Sequence, residues 1–397
     1  MKDKAVFGKS FSQSFSVPFS YPVHFTKNLF DSDNSLLAGV LNRLGENRRH
    51  RSLVYVDKGV ALAHPSLCTR IAAYFEKYAQ NLELSDSPQV IPGGEAVKEN
   101  WDTVHRLIRE IGEHRLDRQS YVIAIGGGAV LDAVGFAAAI IHRGLRLIRI
   151  PTTTLAQNDA GIGVKNSINE LGQKNFIGTF APPFAVLNDA DFLTTLGFDQ
   201  WIAGIAEAFK VAIIKDADFF DFLLRNAEAF RNRNLELMEE AVYRCAVLHL
   251  DHIRSNGDPF EFGSARPLDF GHWAAHKLES MSGYSIGHGQ AVSIGICMDT
   301  YAAMKQGLLK KTETDQILEG FVRSGLPIWH PLLERMGKDG LPEILQGIES
   351  FREHLGGQLT LTLPDGIGNK TEVHELDGEI VAESIGFLRK QQEHFCF

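Results

Sequence analysis

The chain has 397 residues, too long for one ordinary core and suited to about two domains. Its 44% hydrophobic and 22% charged content is that of a soluble globular protein, and a net charge of −9 argues against a general nucleic-acid surface while allowing a focused anion pocket. Four cysteines, Cys68, Cys245, Cys297 and Cys396, stand far apart with no CxxC pair, which argues against a disulfide framework or zinc ribbon and fits the cytoplasm. No apolar run of about eighteen residues and no charged-apolar-cleavage pattern occurs, so neither a membrane span nor a signal peptide is expected.

The first thirty residues carry Phe7, Phe11, Phe15 and Phe19 among serines and then YPVHFT, which predicts edge strands or a hairpin forming a β arm over a sheet. RSLVYVDKGV reads as a buried strand ending in Asp57, where a carboxylate holds a nucleotide ribose or, equally, caps the next helix. A helix around Pro65 to Leu82 leads to a strand over Gln89 to Ile91 and the turn PGGE. Glu95 and Lys98 follow three residues apart, a pair that also occurs as a plain surface contact, at the start of a helix over Val97 to Glu113.

YVIAIGGGAVLDAVGFAAAIIHRG then gives strand, tight turn and helix. Gly126, Gly127 and Gly128 have no Cβ, so backbone N–H groups can approach a diphosphate while the positive end of the helix faces the same anion. A glycine triplet after a strand is more often only a turn, and its sequel is what points to a nucleotide. The strand Leu145 to Ile150 runs into PTTT at Pro151 to Thr154, whose hydroxyls suit the same crevice. NDAGIGVKNSINELGQKNFIG then sets Asp159, Lys165, Lys174 and Asn175 in one polar, glycine-broken segment. Isolated lysines are usually solvated, but two beside Gly and Asn after such a cradle fit an anionic substrate.

From Asp199 onward nearly everything has helical period until QLTLTLPDG at 358–366. The expected division is an α/β domain at 1–190 with a Rossmann-like, mainly parallel sheet, and a mostly α-helical domain at 191–397 with a small strand insertion. The site should lie in the cleft between them. Three helical-half clusters look chemical: GIAEAFK (Glu207, Lys210), LDFGHWAAHKLE (His272, His276, Glu279) and IGHGQAV (His288). His272 and His276 stand one turn apart on one helix face, suited to a shared metal or a shared anion. A lone histidine is more often a hydrogen-bonded core or surface residue; it is Glu207 with His272 and His288 that suits a zinc-type ion with open positions. Gly271 and Gly287 each precede a histidine, where backbones are expected to pack closely.

GGGAVLD, RG, PTTTLAQNDAGIGVK, GQKNFIG, GIAEAFK, FGHWAAH and GHGQAV, in that order over roughly residues 50 to 300, resemble the 3-dehydroquinate synthase superfamily of sugar phosphate cyclases. The resemblance implies that NAD is held by Asp57, Glu95, Lys98, Gly126, Gly127, Gly128, Asp132, Thr152 and Thr153, and that 1–190 is the NAD-binding domain. It implies a divalent metal, zinc or cobalt, on Glu207, His272 and His288 in the 191–397 domain. Substrate contacts are implied for Asp159, Lys165, Lys174, Asn175, Lys210 and His276, with Arg143 reaching the phosphate of a neighbouring subunit in a homodimer. In that family NAD⁺ takes hydride from a secondary alcohol, phosphate is eliminated, the hydride returns, and an intramolecular aldol step closes a carbocycle.

The pattern departs from dehydroquinate synthases proper at SARPLDFGH, where Arg266 lies six residues before His272 and Asp269 replaces an expected Asn. FREHLGGQLTLTLP offers Arg352, Glu353 and His354 where a lysine pair is usual, and CAVLHLDHIRSNGDPFE has His249 and His252 around an expected lysine. The Arg-Pro arrangement resembles cyclases acting on a seven-carbon ketose phosphate without a carboxylate, and LDFGHWAAHKLE resembles the EboD-type branch. The expected activity is cyclisation of such a sugar, favouring sedoheptulose 7-phosphate over the carboxylated heptulosonate, with Arg266 as the residue that would still reach a carboxylate. The alternatives are 3-dehydroquinate synthase itself, a glycerol-dehydrogenase-like oxidoreductase, and a scaffold without activity.

Overall fold

The computed structural model describes residues 10–99, 101–171, 173–255, 259–260, 267–354 and 358–395. In chain order the strands of the first half are β1 (Val23–Thr26), β2 (His50–Asp57), β3 (Leu82–Leu84), β4 (Gln89–Ile91), β5 (Tyr121–Gly126), β6 (Arg146–Pro151), β7 (Lys165–Glu170), β8 (Gln173–Phe180) and β9 (Ala185–Asp189). All but β7 and β8 form one seven-stranded sheet in the order β1, β9, β6, β5, β2, β3, with β4 also on β2, and every pairing in it is parallel.

A strand covered on both faces must be apolar throughout, and β5 is buried at every residue. The helices α1 (Leu36–Leu41), α2 (Lys58–Ala63), α3 (Leu67–Lys77), α4 (Trp101–Glu113) and α5 (Gly128–Ile140) provide that cover. Leu37, Ile71 and Phe75 pack on Val54, Ile123 and Ile148 on one face, and Leu107, Val130 and Val134 pack around Leu53, Val122 and Leu147 on the other.

The second half holds α6 (Phe198–Lys215), α7 (Ala217–Arg225), α8 (Ala227–Arg231), α9 (Leu235–Ser255), α10 (His272–Met281), α11 (His288–Lys305), α12 (Lys311–Ser324), α13 (Gln346–His354) and α14 (Gly378–Phe395). Its strand insertion is the antiparallel pair β10 (Leu361–Pro364) and β11 (Lys370–Val373). One continuous core runs from Leu193 to Leu388. α6 and α11 lie at its centre, buried almost all round, as their apolar sequences demand.

Three local expectations are corrected. No strand forms over residues 10–22: Phe11 and Phe15 are 87% and 78% exposed, and Pro18 and Pro22 lack the N–H groups a ladder needs. The arm reduces to the edge strand β1 on β9, and Phe7 lies outside the described residues. The helix expected to Leu82 stops at Lys77, because Leu82 pairs with His50 in the sheet. The helix expected from Val97 starts at Trp101, with Glu95–Lys98 forming a separate 3₁₀ turn.

Candidate active site

Two glycines make the turn after β5 possible. A Cβ on Gly126 would lie 2.8 Å from Val130 Cβ, and one on Gly128 would lie 3.3 Å from Ala160 Cβ. Gly127 caps α5 without a side-chain bond, so the N–H groups of that helix start remain available to an anion. The threonine run folds onto this turn: Thr152 N–H donates to Gly126 O at 3.0 Å, and a Cβ on Gly127 would stand 3.4 Å from Thr153 Cγ2. Thr152 Oγ1 is buried with no hydrogen-bond partner among the described residues. Asp57 sits at the same end of the sheet, where its carboxylate accepts the Gly59 N–H at 2.6 Å and so caps α2. A Cβ on Gly93 would lie 2.4 Å from that carboxylate, which explains a glycine in PGGE. These features fit a dinucleotide at the carboxyl end of a parallel sheet.

β7 and β8, in the polar, glycine-broken segment, form an antiparallel hairpin. It carries Lys165, Lys174 and Asn175, and it leans on a buried cation. Lys98 Nζ meets Asp132 Oδ2 at 2.7 Å, Ser167 Oγ at 3.2 Å and Asn175 Oδ1 at 2.5 Å. Arg149, fully buried on β6, clamps the approach to the hairpin, donating to the carbonyls of Gly161, Gly163 and Lys165 and to Asn166 Oδ1 at 2.7–3.2 Å. That loop also holds the turn Ala156–Ala160, from which Asp159 Oδ1 meets His249 Nδ1 of α9 at 2.8 Å. Burial would raise the Asp159 carboxyl, but Lys210 and His249 hold it well below the usual carboxylate range.

The helical half supplies the other wall. Glu207 on α6, His272 at the start of α10 and His288 at the start of α11 bring one ligand atom each within 4.8 Å of one another. Glu207 Oε1 is buried without a hydrogen bond among the described residues, and His288 Nε2 and His272 Nε2 approach it at 3.4 and 3.8 Å. The other ring nitrogen of His272 lies 3.1 Å from Phe270 O; an Nδ1–H donating there directs the Nε2 lone pair at Glu207. An orphaned carboxylate oxygen facing two imidazole Nε2 atoms fits a divalent ion of the zinc type. Glu207 Oε2 meets Lys210 Nζ at 2.5 Å. Burial opposes the charge on both, yet the pairing holds the Glu207 carboxyl below and the Lys210 ammonium above their ordinary pKa values. A second trio, His276, Glu279 and His288, shares His288.

Close backbone contact fixes these helix starts. Gly271 has φ +79°, and a Cβ there would stand 2.7 Å from Ile296 N, so the α10 start presses directly on α11. Gly287 is not such a contact, its nearest neighbour being Gln290 at 3.5 Å; Gly289 is, since a Cβ there would meet Ala203 Cα of α6 at 2.5 Å. Asp299 of α11 ties the arrangement by accepting the Gly271 N–H at 2.9 Å and the Trp273 Nε1–H at 2.8 Å. The hairpin reaches across to this wall, where Lys174 Nζ meets Glu279 Oε1 at 2.9 Å and lies over the Tyr284 ring at 4.8 Å.

Residues 88–203 match the family described as 3-dehydroquinate synthase N-terminal, and residues 204–346 match its C-terminal counterpart. The chain belongs to the 3-dehydroquinate synthase family. It is 31% identical over 366 residues to 3-dehydroquinate synthase of Shewanella halifaxensis, covering 92% of this chain and 96% of that protein. It is 32% identical over 366 residues to 2-epi-5-epi-valiolone synthase of an Actinoplanes species, covering 90% and 87%. Among solved structures it resembles the 2-epi-5-epi-valiolone synthase ValA of Streptomyces hygroscopicus subsp. jinggangensis, described with NAD⁺ and Zn²⁺ bound, at TM-score 0.83 and 26% identity over 96% of this chain and all of that one. Its relatives are cyclases of the sugar phosphate type.

Within this family framework, beyond Lys165, Lys174 and Asn175 on the hairpin, the residues expected from sequence fall into three groups. Glu207, His272, His288, Lys210 and Asp159 converge, and His276 stands exposed beside them, its ring 5.3 Å from that of His272. Asp57, Glu95, Lys98, Asp132, Thr152, Thr153 and the glycines line the sheet end or the hairpin behind it, Glu95 through a 3.2 Å bond from Asn169. Arg143 is not brought to this cleft: it is exposed at the far end of α5, about 20 Å of helix from the glycine turn. Arg266 lies outside the described residues. Sequence reasoning missed Arg149 as a clamp, although a charged residue inside the apolar strand RLIRIP was a visible signal.

Proposed function

We propose that the chain is an NAD- and metal-dependent cyclase of a phosphorylated seven-carbon ketose, with sedoheptulose 7-phosphate as the favoured substrate and a valiolone-type cyclitol ketone as product. In this reading residues 1–190 hold NAD and residues 191–397 hold zinc or cobalt and the sugar. The bound nicotinamide would exchange hydride with the sugar carbinol while the ion on Glu207, His272 and His288 polarised that carbon's oxygen. Lys210 is fixed beside the metal carboxylate, its ammonium 2.5 Å from Glu207, so it can steady negative charge growing on the sugar. Lys165 and Lys174 supply cations from the hairpin side, and Asp159 with His249 offers a carboxylate and an imidazole to sugar hydroxyls.

The observation that carries the cyclase reading is Lys210 and Lys174 flanking one metal trio from opposite walls, because a simple alcohol dehydrogenase needs no such pair of cations for a phosphorylated substrate. Asp269 supports the choice of sugar: its negative charge acts on Lys210, so this wall disfavours a second carboxylate. Relatives named 3-dehydroquinate synthase are 31–35% identical to the chain and the valiolone synthase 32%, a spread too narrow to choose a sugar, which leaves these local charges to argue substrate.

A homodimer is part of the proposal. His142 and Arg143 adopt consecutive left-handed conformations, φ 52° and 63°, before Gly144 at φ 118°, an uncommon turn that carries Arg143 outward. It would reach the phosphate of the neighbouring subunit's site. The separated cysteines suit a cytoplasmic enzyme.

Phosphate release from sedoheptulose 7-phosphate and from the carboxylated heptulosonate 7-phosphate, with NAD and zinc or cobalt, tests the reading through kcat/KM. Each lost charge-assisted contact contributes about 1.5–3 kcal/mol, so preference for the first sugar should exceed about tenfold. A clear preference for the carboxylated sugar makes the chain a 3-dehydroquinate synthase, and stoichiometric NADH without phosphate release makes it a dehydrogenase.

A further inference from the structure

Glu279 belongs to neither expected site, yet it is a buried carboxylate, 2% exposed, on α10 between the hairpin and the metal trio. Its Oε1 lies 2.9 Å from Lys174 Nζ and 3.5 Å from His288 Nδ1, while Oε2 has no hydrogen-bond partner among the described residues. His288 turns its opposite nitrogen, Nε2, toward Glu207 at 3.4 Å. The ring is therefore held between two carboxylates from two helices. His272 has a counterpart in Phe270 O, so each metal-facing imidazole has an acceptor at its remote nitrogen.

We infer that Glu279 is a positioning residue: it holds the Nδ1–H of His288 so that Nε2 is the ligating nitrogen, and with the same oxygen it anchors Lys174 on the opposite wall of the cleft. The inference rests on the metal reading above. It also separates the two overlapping trios. An ion on Glu207, His272 and His288 uses Nε2 and leaves Glu279 to the outer side of the ring, whereas an ion on His276, Glu279 and His288 would make Glu279 itself a ligand. A carboxylate behind a ligating imidazole fixes its tautomer and raises its basicity, and loss of such a partner typically weakens metal binding 10–100-fold. Because one oxygen serves both His288 and Lys174, the placement of the metal ligand and of a substrate cation is mechanically joined.

The test uses full-length protein without added sugar, with Glu279→Ala, Glu279→Gln and Lys174→Met variants checked for folding by circular dichroism. Cobalt(II) affinity is measured by chelator competition, and the cobalt ligand field is read from the visible d–d band. Glu279→Ala should weaken cobalt binding by about 10–100-fold, and Glu279→Gln, which keeps a neutral acceptor, by about three- to tenfold with a shifted band. Lys174→Met should not weaken it. Unchanged affinity and band in Glu279→Gln overturns the inference, and so does a Lys174→Met protein as impaired as Glu279→Gln, since the ion pair rather than the imidazole would then be responsible. Should Glu279→Ala fail to fold, the Gln variant decides alone. A wild-type protein that binds no cobalt overturns the metal site itself, a different failure.

Discussion

Asp299 holds the residues on either side of His272, and its energetics are open to a direct measurement. It is 1% exposed and accepts the Gly271 N–H and the Trp273 Nε1–H, which hold the start of α10 against α11. Burial outweighs these two bonds and pushes its carboxyl up to about 7. The unfolded value is about 3.9, so the folded state binds this proton more tightly, and the stability it contributes is full below about pH 3.9 and lost as pH rises through 7. Between pH 5 and 8 the folded protein therefore loses about 3 kcal/mol through this one group, two units at roughly 1.4 kcal/mol each. Asp299→Asn removes the titrating proton but offers one acceptor oxygen to two N–H donors, so it should be less stable than the wild type at pH 5 and abolish that slope, narrowing its deficit by about 3 kcal/mol by pH 8. Urea denaturation of both proteins at several values from pH 5 to 8, followed by tryptophan fluorescence, reads the difference. Parallel stability curves, with the variant offset equally at every pH, would refute the assignment.

His252 has the opposite sign. Burial, aided by Lys215 at 3.3 Å, pushes its ring down to about 4, so the stability it confers above pH 6.5 is lost as pH falls through 4. With solvent screening at the partly covered ring, His252→Gln should resist acid better by about 1–2 kcal/mol at pH 4.5 than at pH 7, seen as a smaller acid-induced fall in Tm. A Cβ on Gly204 would stand 2.7 Å from Thr154 Cβ, so Gly204→Ala should cost about 1–3 kcal/mol and, by displacing α6 and Glu207, weaken cobalt binding; a stable variant with wild-type cobalt affinity would show that the contact relaxes locally. Mixing Arg143→Ala with Lys210→Ala subunits should restore partial activity through one intact site per heterodimer, and a fully active monomer would remove the subunit argument.

The glycine turn after β5 was legible because its information is local. GGG after an apolar strand, and His272 one turn before His276, carry their geometry in a few adjacent positions; Glu207, His272 and His288, on three helices, were singled out by residue type and family resemblance instead. Pairings across the chain were not. Lys174 and Glu279 are 105 residues apart, Asp159 and His249 ninety, and nothing in either segment names its partner. The β7–β8 hairpin was not foreseen, because the polar segment KNSINE carries no apolar face to mark it as a strand until Lys98 and Arg149 are seen behind it. The aromatic arm failed for a different reason: a phenylalanine at every fourth position says that something apolar is to be met but not what meets it.

Three lysines of the cleft have a resident carboxylate. Lys210 has Glu207, Lys174 has Glu279 and Lys98 has Asp132. An incoming phosphate therefore enters as a competitor, trading one counter-ion for another, and its affinity reflects the difference between two pairings. Such an exchange should soften the dependence of sugar affinity on ionic strength, since screening weakens the old pair and the new one together. It also gives product departure a ready acceptor, because the carboxylate that yielded its partner stays beside it.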